Sequence, residues 1–499
     1  MEQVIKDFVD YLGEIRMYNQ AVAVMSFDSS TIAPKGSIAA RAKRSGFFSQ
    51  KIFEMSTSDE MKGFLEQLAP HVDTLDDITK AHYRRAKKAY DNGTKIPAHL
   101  IKEFNELKSK ANAVWDKARK ENDFAAFAPY LEQVIAKTKE IAGYRLEEGQ
   151  SLYNVLLDDF EEGMTMEAYD KFFGKLREVI VPLLKTVVNS DKKYDTEFMK
   201  AFVAKDMQEK ISEFMAEKIG YDLDRGYITE STHPFCSGSH RTDVRITTRY
   251  DENDFASSFY SVLHECGHAI YEQSTSDEIA ETSLSRGISS GIHESQSRFY
   301  ENIIGRSLPF WKYITDELKT YLPEEFKNIT PQQFYEAANQ AKPSLIRVEA
   351  DELTYSLHVM VRYEIERMIF SEEGVDVNDL PRIWNEKIEE YLGVVPPNDT
   401  LGLLQDIHWS WGYFGYFPTY ALGSAYAAQF VAYMNKEMDV DALIEKGDFA
   451  TITAWLTDKI HRHGSVYTPT QLMEKMSGEQ LNGEYYAAYL KKKFEGLFA

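Results

Sequence analysis

The chain is poor in cysteine and has no long apolar run. Two cysteines, Cys236 and Cys266, occur among 499 residues. That number is too small for a disulfide framework and favours a reducing compartment, with one disulfide between them as the alternative. Residues 1–7 carry charges where a secretory signal needs an apolar core, and the weakly polar stretch 421–434 is too short to span a bilayer. These absences predict a cytoplasmic protein that does not cross a membrane.

Basic residues are also scarce relative to acidic ones. There are 57 basic and 79 acidic residues, for a formal net charge of -22, which repels nucleic acid and anionic membrane surfaces. Nucleic-acid partners are therefore not expected. A chain this acidic would need a local cation, either a metal ion or a well-placed arginine, to bind a negatively charged substrate group.

Glycine and proline are scattered, and 43% of the residues are hydrophobic, enough for a substantial core. Apolar residues recur at helical spacing over residues 1–20, 98–120 and 211–220. The best strand covers residues 242–250, where Val244 and Ile246 alternate with polar residues. No repeat or Pro/Ser-rich linker divides the chain. The sequence thus predicts a mainly α fold with one small sheet, organised as a single domain over residues 1–499, with two lobes as the alternative.

Histidines are concentrated between residues 233 and 408, which contain seven of the twelve. The motif His264-Glu265-Cys266-Gly267-His268 follows Asp254, which is suited to cap a helix. Histidines four positions apart lie on one helical face and suit a single ion. Glu265 is rotated by about 100° from His264, so it reaches a water at the ion without ligating the ion. The motif predicts a zinc-type hydrolytic centre, with chance occurrence as the alternative.

A third metal ligand is required, because catalytic zinc normally takes three protein ligands and keeps one position open. Residues 289–300 resemble the beginning of a second helix, with Ser289 or Ser290 as its cap. His293 and Glu294 are both candidates. Spacing alone does not choose between two adjacent residues.

Further motifs occur in order along the chain. They are His233-Pro234-Phe235, Asp243-Val244-Arg245-Ile246-Thr247, the His264 to His268 pair, His293-Glu294-Ser295-Gln296, the segment from Ile346 to Tyr355, and the segment from Gly402 to Trp409. In these motifs the chain resembles the carboxypeptidase Taq family of metal-dependent carboxypeptidases. The segment from Phe27 to Pro34 is similar to the family's Trp-Asp-x-x-Thr-x-x-Pro stretch, with Phe27 in place of the usual tryptophan.

The resemblance extends over nearly the whole chain and has several implications. It implies Glu294 as the third ligand beside His264 and His268. It also implies a large helical fold with a deep substrate groove, similar to that of angiotensin-converting enzyme and neurolysin, and a homodimer. The expected activity is hydrolysis of the C-terminal peptide bond of peptides, with Glu265 as general base. Zinc is the expected metal, and Co²⁺ would also suit the ligands.

The oxyanion of the tetrahedral intermediate requires hydrogen-bond donors besides the metal. His408 and Tyr420 are the candidates, and Tyr416 is an equal alternative to Tyr420. The two tyrosines lie in or beside a Gly-rich aromatic segment, residues 411–420, of a kind that folds over a groove. Simple packing is the competing interpretation for each aromatic residue.

Recognition of a free C-terminus requires a cation for the carboxylate. Arg347 is the best candidate, and Arg245 in the predicted strand is the second. His233 and Asp243 are candidates for shaping the closed end of the groove.

Arg347 begins a polar stripe at helical spacing, whose other members are Asp351, Tyr355, His358 and Arg362. A buried ion-pair network is an equally weighted interpretation of this stripe. Asp351 and Glu352 are candidate hydrogen-bond partners for the outer ring nitrogens of the metal-binding histidines.

Two other functions compete with the carboxypeptidase. An endo-acting oligopeptidase on the same helical architecture would differ in a groove that stays open beyond the scissile bond. A metal-bound scaffold protein without turnover is the alternative from another class. The intact Glu265 argues against the scaffold, because such a protein needs no catalytic base.

Overall fold

The structure is a computed structural model that describes all residues from Met1 to Ala499. It is mainly helical, as predicted. The first nine helices are α1 Glu2–Ser30, α2 Ile38–Ser56, α3 Asp59–Leu68, α4 Asp77–Lys95, α5 Ala98–Glu121, α6 Phe124–Gly143, α7 Leu152–Asp158, α8 Met166–Val188 and α9 Lys205–Ile219. The others are α10 Phe255–Gln273, α11 Asp277–Ala280, α12 Ser290–Arg298, α13 Leu308–Leu318, α14 Pro331–Ala338, α15 Tyr355–Ile369, α16 Leu380–Leu392, α17 Phe417–Met434, α18 Val440–Lys446, α19 Phe449–Lys459, α20 Pro469–Ser477 and α21 Gly483–Phe498.

One small sheet accompanies these helices. Its strands are β1 Gly226–Glu230, β2 Cys236–His240 and β3 Asp243–Thr248. β3 lies in the centre, parallel to β1 and antiparallel to β2. Val244 and Ile246 of β3 are fully buried, as the alternation of apolar and polar residues predicts. The strand is shorter than the predicted 242–250 because pairing ends at Thr248.

The chain forms two compact units. The first unit contains Met1–Thr94, Tyr194–Ala338 and Phe430–Gln480, and the second contains Lys95–Lys193, Asn339–Gln429 and Leu481–Ala499. In the first unit, α10 contacts α9, α12 and β3. In the second unit, α8 packs against α21, and α15 packs against α16. This division does not decide the single-domain prediction, which stays a prediction.

None of the helices combines the length and the apolar character that crossing a lipid bilayer requires. The stretch 421–434 belongs to α17, and most of its side chains are buried inside the protein. Its apolar character is therefore explained by packing.

Candidate active site

Two helices of the first unit carry the predicted metal ligands. α10 begins after Asp254, whose carboxylate accepts a hydrogen bond from the backbone N–H of Ser257, as predicted. Gly267 approaches α12 so closely that a Cβ at this position would lie 2.4 Å from the backbone oxygen of Gln296. The absence of a side chain at Gly267 therefore allows α12 to lie directly against the turn that contains His264 and His268.

The second helix begins at the predicted cap. Ser289 accepts a hydrogen bond from the backbone N–H of Ile292. Glu294 then projects toward the histidine pair, with its Oε2 3.7 Å from His264 Nε2 and 3.5 Å from His268 Nε2. One donor atom from each of the three residues lies within 4.8 Å of the others.

These distances suit an ion better than direct hydrogen bonds. Hydrogen bonds between nitrogen and oxygen are normally about 2.7–3.2 Å long. Two ligands bound tetrahedrally at about 2.1 Å from zinc would lie about 3.4 Å apart. Glu294 Oε2 lies 3.5 Å from the Nε2 of His268, which matches that separation.

The charge around the three residues also fits a divalent cation. Four glutamates belong to the network, and two arginines accompany them. The acidic members are Glu265, Glu272, Glu294 and Glu301, and the basic members are Arg298 and Arg306. With neutral histidines and ionised carboxylates, this set has two negative charges in excess. A divalent ion would balance them.

His264 is oriented by a residue that sequence reasoning missed. Glu301 Oε2 lies 2.8 Å from His264 Nδ1, so Nε2 is the ring nitrogen that faces Glu294. Arg298 donates to Glu294 Oε1 at 2.7 Å and to Glu301 Oε2 at 3.2 Å, and Arg306 donates to Glu301 Oε1 at 3.2 Å. Glu301 follows Glu294 by seven positions, a helical spacing that could have pointed to it, although in the structure α12 ends at Arg298 and Glu301 lies in a π-helical segment, Phe299–Ile304.

His268 is oriented by a second chain of contacts. Its Nδ1 lies 2.5 Å from His293 Nδ1, and His293 Nε2 lies 2.9 Å from Glu272 Oε1. If Nε2 of His268 is kept for an ion, its Nδ1 must carry the proton and donate to His293, which then donates to Glu272. The adjacent His293 and Glu294, between which spacing did not choose, therefore have different positions. Glu294 joins the ligand group, and His293 supports it.

The structure does not bear out the sequence-based partners for the histidine rings. Asp351 accepts hydrogen bonds from the backbone N–H groups of Leu353 and Thr354, and Glu352 binds Lys493 at 2.6 Å. Both belong to the second unit, whereas the ring partners of His264 and His268 are Glu301 and His293. The prediction was wrong, because both carboxylates are engaged by partners of their own unit.

Glu265 lies beside the ligand group in a cleft of the first unit. The cleft has a volume of about 840 Å³, and its lining includes His264, Glu265, Tyr260 and Arg306. Only 6% of Glu265 is exposed, so its carboxylate is held in a largely water-excluded position at the wall of the cleft. A substrate entering this cleft would meet the side chain predicted to act as the base.

The pKa values of neighbouring side chains in the site differ sharply. Burial raises the pKa of Glu265 to about 7, with His264 opposing and Glu294 adding to the shift. Burial alone would lower the pKa of His264, but the charge of Glu294 and the hydrogen bond of Glu301 raise it to about 9. Burial would raise the pKa of Glu294, but Arg298 and His264 hold it well below 4.5. Glu294 is therefore a carboxylate, the form that binds a cation.

A second cluster of predicted residues lies in the second unit. Arg347 donates to Asp406 Oδ1 through Nε at 3.2 Å and Nη2 at 3.0 Å, and to the Tyr355 hydroxyl at 3.1 Å. The fully buried Arg362 donates through Nε to the other oxygen of Asp406 at 2.6 Å. Two guanidinium groups share one carboxylate, so this buried group carries one positive charge in excess. The structure thus contains a buried ion-pair network, which was one of the two interpretations of the polar stripe.

The stripe is not one continuous helix. Arg347 belongs to a short 3₁₀ turn, Arg347–Glu349, and α15 begins only at Tyr355. The helical pattern is interrupted at Asp351. Its carboxylate accepts hydrogen bonds from the backbone N–H groups of Leu353 and Thr354, just before α15 begins. The side chains nevertheless converge, since Asp406 joins Arg347 to Arg362 from a different segment.

The aromatic candidates lie against the same cluster. His408 Nε2 is 3.3 Å from the Tyr420 hydroxyl, and the His408 ring is stacked on Tyr416 with centroids 5.6 Å apart. The guanidinium of Arg347 lies 4.9 Å from the centroid of Tyr420. The structure therefore brings together Arg347, His408, Tyr416 and Tyr420, which the sequence placed up to 73 positions apart.

The three candidates from the sheet region lie in the first unit, and two of them are paired. Arg245 is paired with Asp243 at 2.6 Å and 3.0 Å, and its guanidinium covers the Phe27 ring at 5.2 Å. His233 is exposed in the segment before β2. Arg245 is thus already neutralised by its neighbour, which distinguishes it from Arg347.

Together, the helical fold, the two histidines on one turn, the facing glutamate and the buried carboxylate beside them define a metal-dependent peptide hydrolase. The family model described as Carboxypeptidase Taq (M32) metallopeptidase matches residues 7–494. The chain belongs to this family.

Relatives are similar over their full lengths. Carboxypeptidase 1 of Bacillus subtilis is 45% identical over 497 residues, which cover 99% of this chain and 98% of that protein. The solved structure of Pyrococcus furiosus carboxypeptidase, in a form described as Apo-Mg, has a TM-score of 0.94 at 35% identity, with 99% of each chain covered. The M32 carboxypeptidase of Deinococcus radiodurans has a TM-score of 0.94 at 33% identity, with 99% of each chain covered.

These comparisons confirm the predicted family, the mainly α fold and the activity. The protein is a metallocarboxypeptidase that acts on peptides and uses a divalent metal. They do not favour the endo-acting alternative.

Proposed function

We propose that the protein is a zinc carboxypeptidase of broad specificity in which His264, His268 and Glu294 hold the metal. The main observation is that two imidazole nitrogens converge on one carboxylate oxygen. Glu294 Oε2 lies 3.7 Å from His264 Nε2 and 3.5 Å from His268 Nε2. The opposite atoms of these side chains are occupied by Glu301, His293 and Arg298. Such outer contacts fix ligand orientation. Co²⁺ would suit the same donors.

Glu265 is the general base in this proposal. The three side chains would hold a zinc ion, which would supply Lewis-acid chemistry for the scissile carbonyl and for the attacking water. Glu265 takes the proton of that water and delivers it to the nitrogen of the leaving amine. Its burial supports this role, because a carboxyl group that is only 6% exposed is held beside the proposed ligands, where it can accept a proton from the attacking water and pass it to the leaving amine.

Arg347 binds the C-terminal carboxylate of the substrate. Support comes from the excess positive charge of Arg347 and Arg362 over Asp406. Arg245 remains the second candidate, although Asp243 already balances its charge. His233 and Asp243 shape the end of the groove that excludes chains extending beyond the C-terminus.

His408 and Tyr420 stabilise the oxyanion, with Tyr416 as the alternative tyrosine donor. Burial keeps the pKa of Tyr420 well above 10, so its hydroxyl stays protonated and able to donate. Burial also lowers the pKa of His408 to about 4, which keeps the ring neutral.

The remaining proposals concern the environment of the enzyme. We infer a homodimer in a reducing cytoplasm that binds no nucleic acid and forms a single domain over residues 1–499. The unpaired state of Cys236 and Cys266 and the net charge of -22 support the compartment and the absence of nucleic-acid binding.

One experiment tests the proposed specificity. The zinc-loaded protein is incubated with one peptide as its free acid and as its C-terminal amide, with and without chelator, and products are followed by mass spectrometry. A chelator-sensitive ladder from the free acid alone supports the proposal. Internal fragments would instead support endo-cleavage, and no cleavage with any added divalent metal would support a scaffold.

A further inference from the structure

A buried glutamate of the second unit holds the segment that connects the proposed oxyanion donors. Glu366 of α15 is fully buried and accepts three hydrogen bonds. Its Oε1 accepts from the indole Nε1–H of Trp409 at 2.7 Å, and its Oε2 accepts from the Tyr153 hydroxyl at 2.8 Å and the backbone N–H of Gly415 at 2.7 Å. Two of these three donors belong to residues 408–416, called the aromatic loop below.

The two residues of the aromatic loop that donate to Glu366, Trp409 and Gly415, each lie one position inside an end of the loop. Trp409 follows His408, and Gly415 precedes Tyr416. Each pinned residue is therefore covalently adjacent to a proposed donor. A shift of either pinned residue would move the neighbouring His408 or Tyr416 by a comparable distance, because consecutive Cα atoms are only about 3.8 Å apart.

The backbone at Gly415 leaves the loop little freedom. Gly415 has a φ of +86°, and a Cβ there would lie 2.6 Å from the backbone oxygen of Leu156 in α7. The loop is thus pressed against α7 on one side and bonded to Glu366 through the same residue. Its other end is packed by the Trp409 ring, which lies edge-on to Trp384 with centroids 6.3 Å apart.

We propose that Glu366 is a positioning residue, whose carboxylate fixes the aromatic loop so that His408, and Tyr416 as the alternative tyrosine donor, are held in place to contact the reacting carbonyl. The inference rests on the proposed roles of these two side chains. A carboxylate is required because all three partners offer hydrogens, and a carboxylate accepts at both oxygens. Glutamine in its place would direct an N–H group at a donor, so at least one of the three bonds would be lost.

The test compares two glutamates of α15. Glu366→Gln removes one acceptor beneath the loop. Glu364→Gln is the matched control, since Glu364 binds the Tyr391 hydroxyl at 2.8 Å and pairs with Lys387, away from the loop donors. Both variants are measured for kcat and KM on a free-acid peptide, for bound zinc, and for hydrogen exchange of the peptide that contains the Gly415 amide.

Glu366→Gln should lower kcat by about 10-fold to 100-fold with little change in KM, because misplaced donors weaken the transition state more than the bound substrate. Its zinc content should stay the same. Exchange at Gly415 should become faster, unless glutamine keeps that bond through its single oxygen and gives up the Trp409 bond. Glu364→Gln should stay within about two-fold of the wild type in kcat. If Glu366→Gln matches the control in kcat, the proposal is wrong.

Two further variants cover the case in which Glu366→Gln does not fold. Trp409→Phe removes one loop bond and should lower kcat, whereas Tyr153→Phe removes the bond from outside the loop and should not. Equal kcat in these two variants overturns the proposal. His408→Ala and Tyr416→Phe are measured in parallel. If neither lowers kcat, the aromatic loop supplies no oxyanion donor, whereas faster exchange at Gly415 in Glu366→Gln would still show that Glu366 holds the loop.

Discussion

At the scale of single residues, Glu265 combines burial with direct adjacency to His264, a proposed metal ligand on α10. Glu265→Gln preserves size and removes the base, so we expect kcat to fall by about 100-fold to 10,000-fold with zinc content unchanged. His264→Ala should lose both zinc and turnover. Zinc is measured by elemental analysis, and turnover is measured on a free-acid peptide. A Glu265→Gln protein with full turnover would refute the assignment of the base.

Glu272 acts on the metal site through His293, and its variants should separate hydrogen bonding from charge. Glu272→Gln keeps an oxygen for the His293 Nε2–H group, 2.9 Å away in the wild type. Glu272→Leu removes that acceptor. We expect Leu to weaken zinc binding by about 10-fold to 100-fold and Gln to weaken it much less. Competition with a coloured chelator measures the affinity, and equal affinities of the two variants would contradict the relay through His293.

At the scale of elements, the approach of α10 to α12 depends on Gly267. A methyl group at Gly267 would meet backbone atoms of α12, with the oxygen of Gln296 at 2.4 Å, and backbone atoms do not rotate away. Gly267→Ala should therefore cost about 1–3 kcal/mol of unfolding free energy and weaken zinc binding, because α12 carries Glu294. Chemical denaturation and metal competition provide the two measurements.

Gly174 provides the control for that prediction. It lies within α8, and a Cβ there would meet nothing within 4 Å. Gly174→Ala should be neutral or should stabilise the protein by up to about 1 kcal/mol, with zinc affinity unchanged. Similar losses in Gly174→Ala and Gly267→Ala would show that the close approach to α12 is not responsible.

Helix α4 contains a histidine whose burial makes stability depend on pH. His82 is 2% exposed. Burial and then Arg85 lower its pKa from 6.5 to about 4, with Asp76 opposing. The folded protein thus binds fewer protons than the unfolded chain between these values, so stability is lost as the pH falls from about 6.5 to 4. At about 1.4 kcal/mol per pKa unit, the loss is on the order of 3 kcal/mol.

His82→Gln should lose less stability on acidification than the wild type, because glutamine does not titrate but can still reach Ser283, the neighbour of His82 Nδ1 at 3.3 Å. His71→Gln, at an exposed position, should behave as the wild type does. Urea unfolding at pH 7 and pH 5 compares the three proteins. Parallel losses in all of them would assign the acid sensitivity to other groups.

The same elements show what sequence patterns predict well. The helical face of α10, its cap at Asp254 and the pairing of His264 with His268 follow from local spacing, which is why they were predictable. The prediction of one helical stripe beginning at Arg347 was wrong. Asp351 has the spacing of a helical residue, but its carboxylate accepts hydrogen bonds from backbone N–H groups. Asp406, which joins Arg347 to Arg362, lies 44 positions after Arg362. No local period connects such residues, so only the family resemblance pointed to their segments.

At the scale of the whole molecule, each compact unit is assembled from three separate stretches of chain. The metal group of the first unit and the Arg347 cluster of the second are each built from segments that spacing rules treat independently. The charges differ as well, since the metal group is rich in carboxylates and the Arg347 cluster has an excess cation. The overall charge of -22 gives the local charge of neither the metal group nor the Arg347 cluster. Composition therefore predicted that local cations were needed but could not predict their positions.

Metal removal should therefore destabilise the first unit. Without an ion, its four clustered glutamates face two arginines and His264, whose pKa is raised to about 9, so protonation of His264 offsets only one of the two excess negative charges. An ion that binds the native state alone stabilises it by about 4 kcal/mol when its free concentration is 1,000 times Kd. Calorimetry should show a lower unfolding temperature after chelation and dialysis, and zinc should restore it. His264→Ala should unfold at the same temperature with and without chelator. A wild-type protein shown by elemental analysis to be metal-free, yet unfolding at the temperature of the zinc-loaded form, would mean that the glutamate cluster is balanced without an ion.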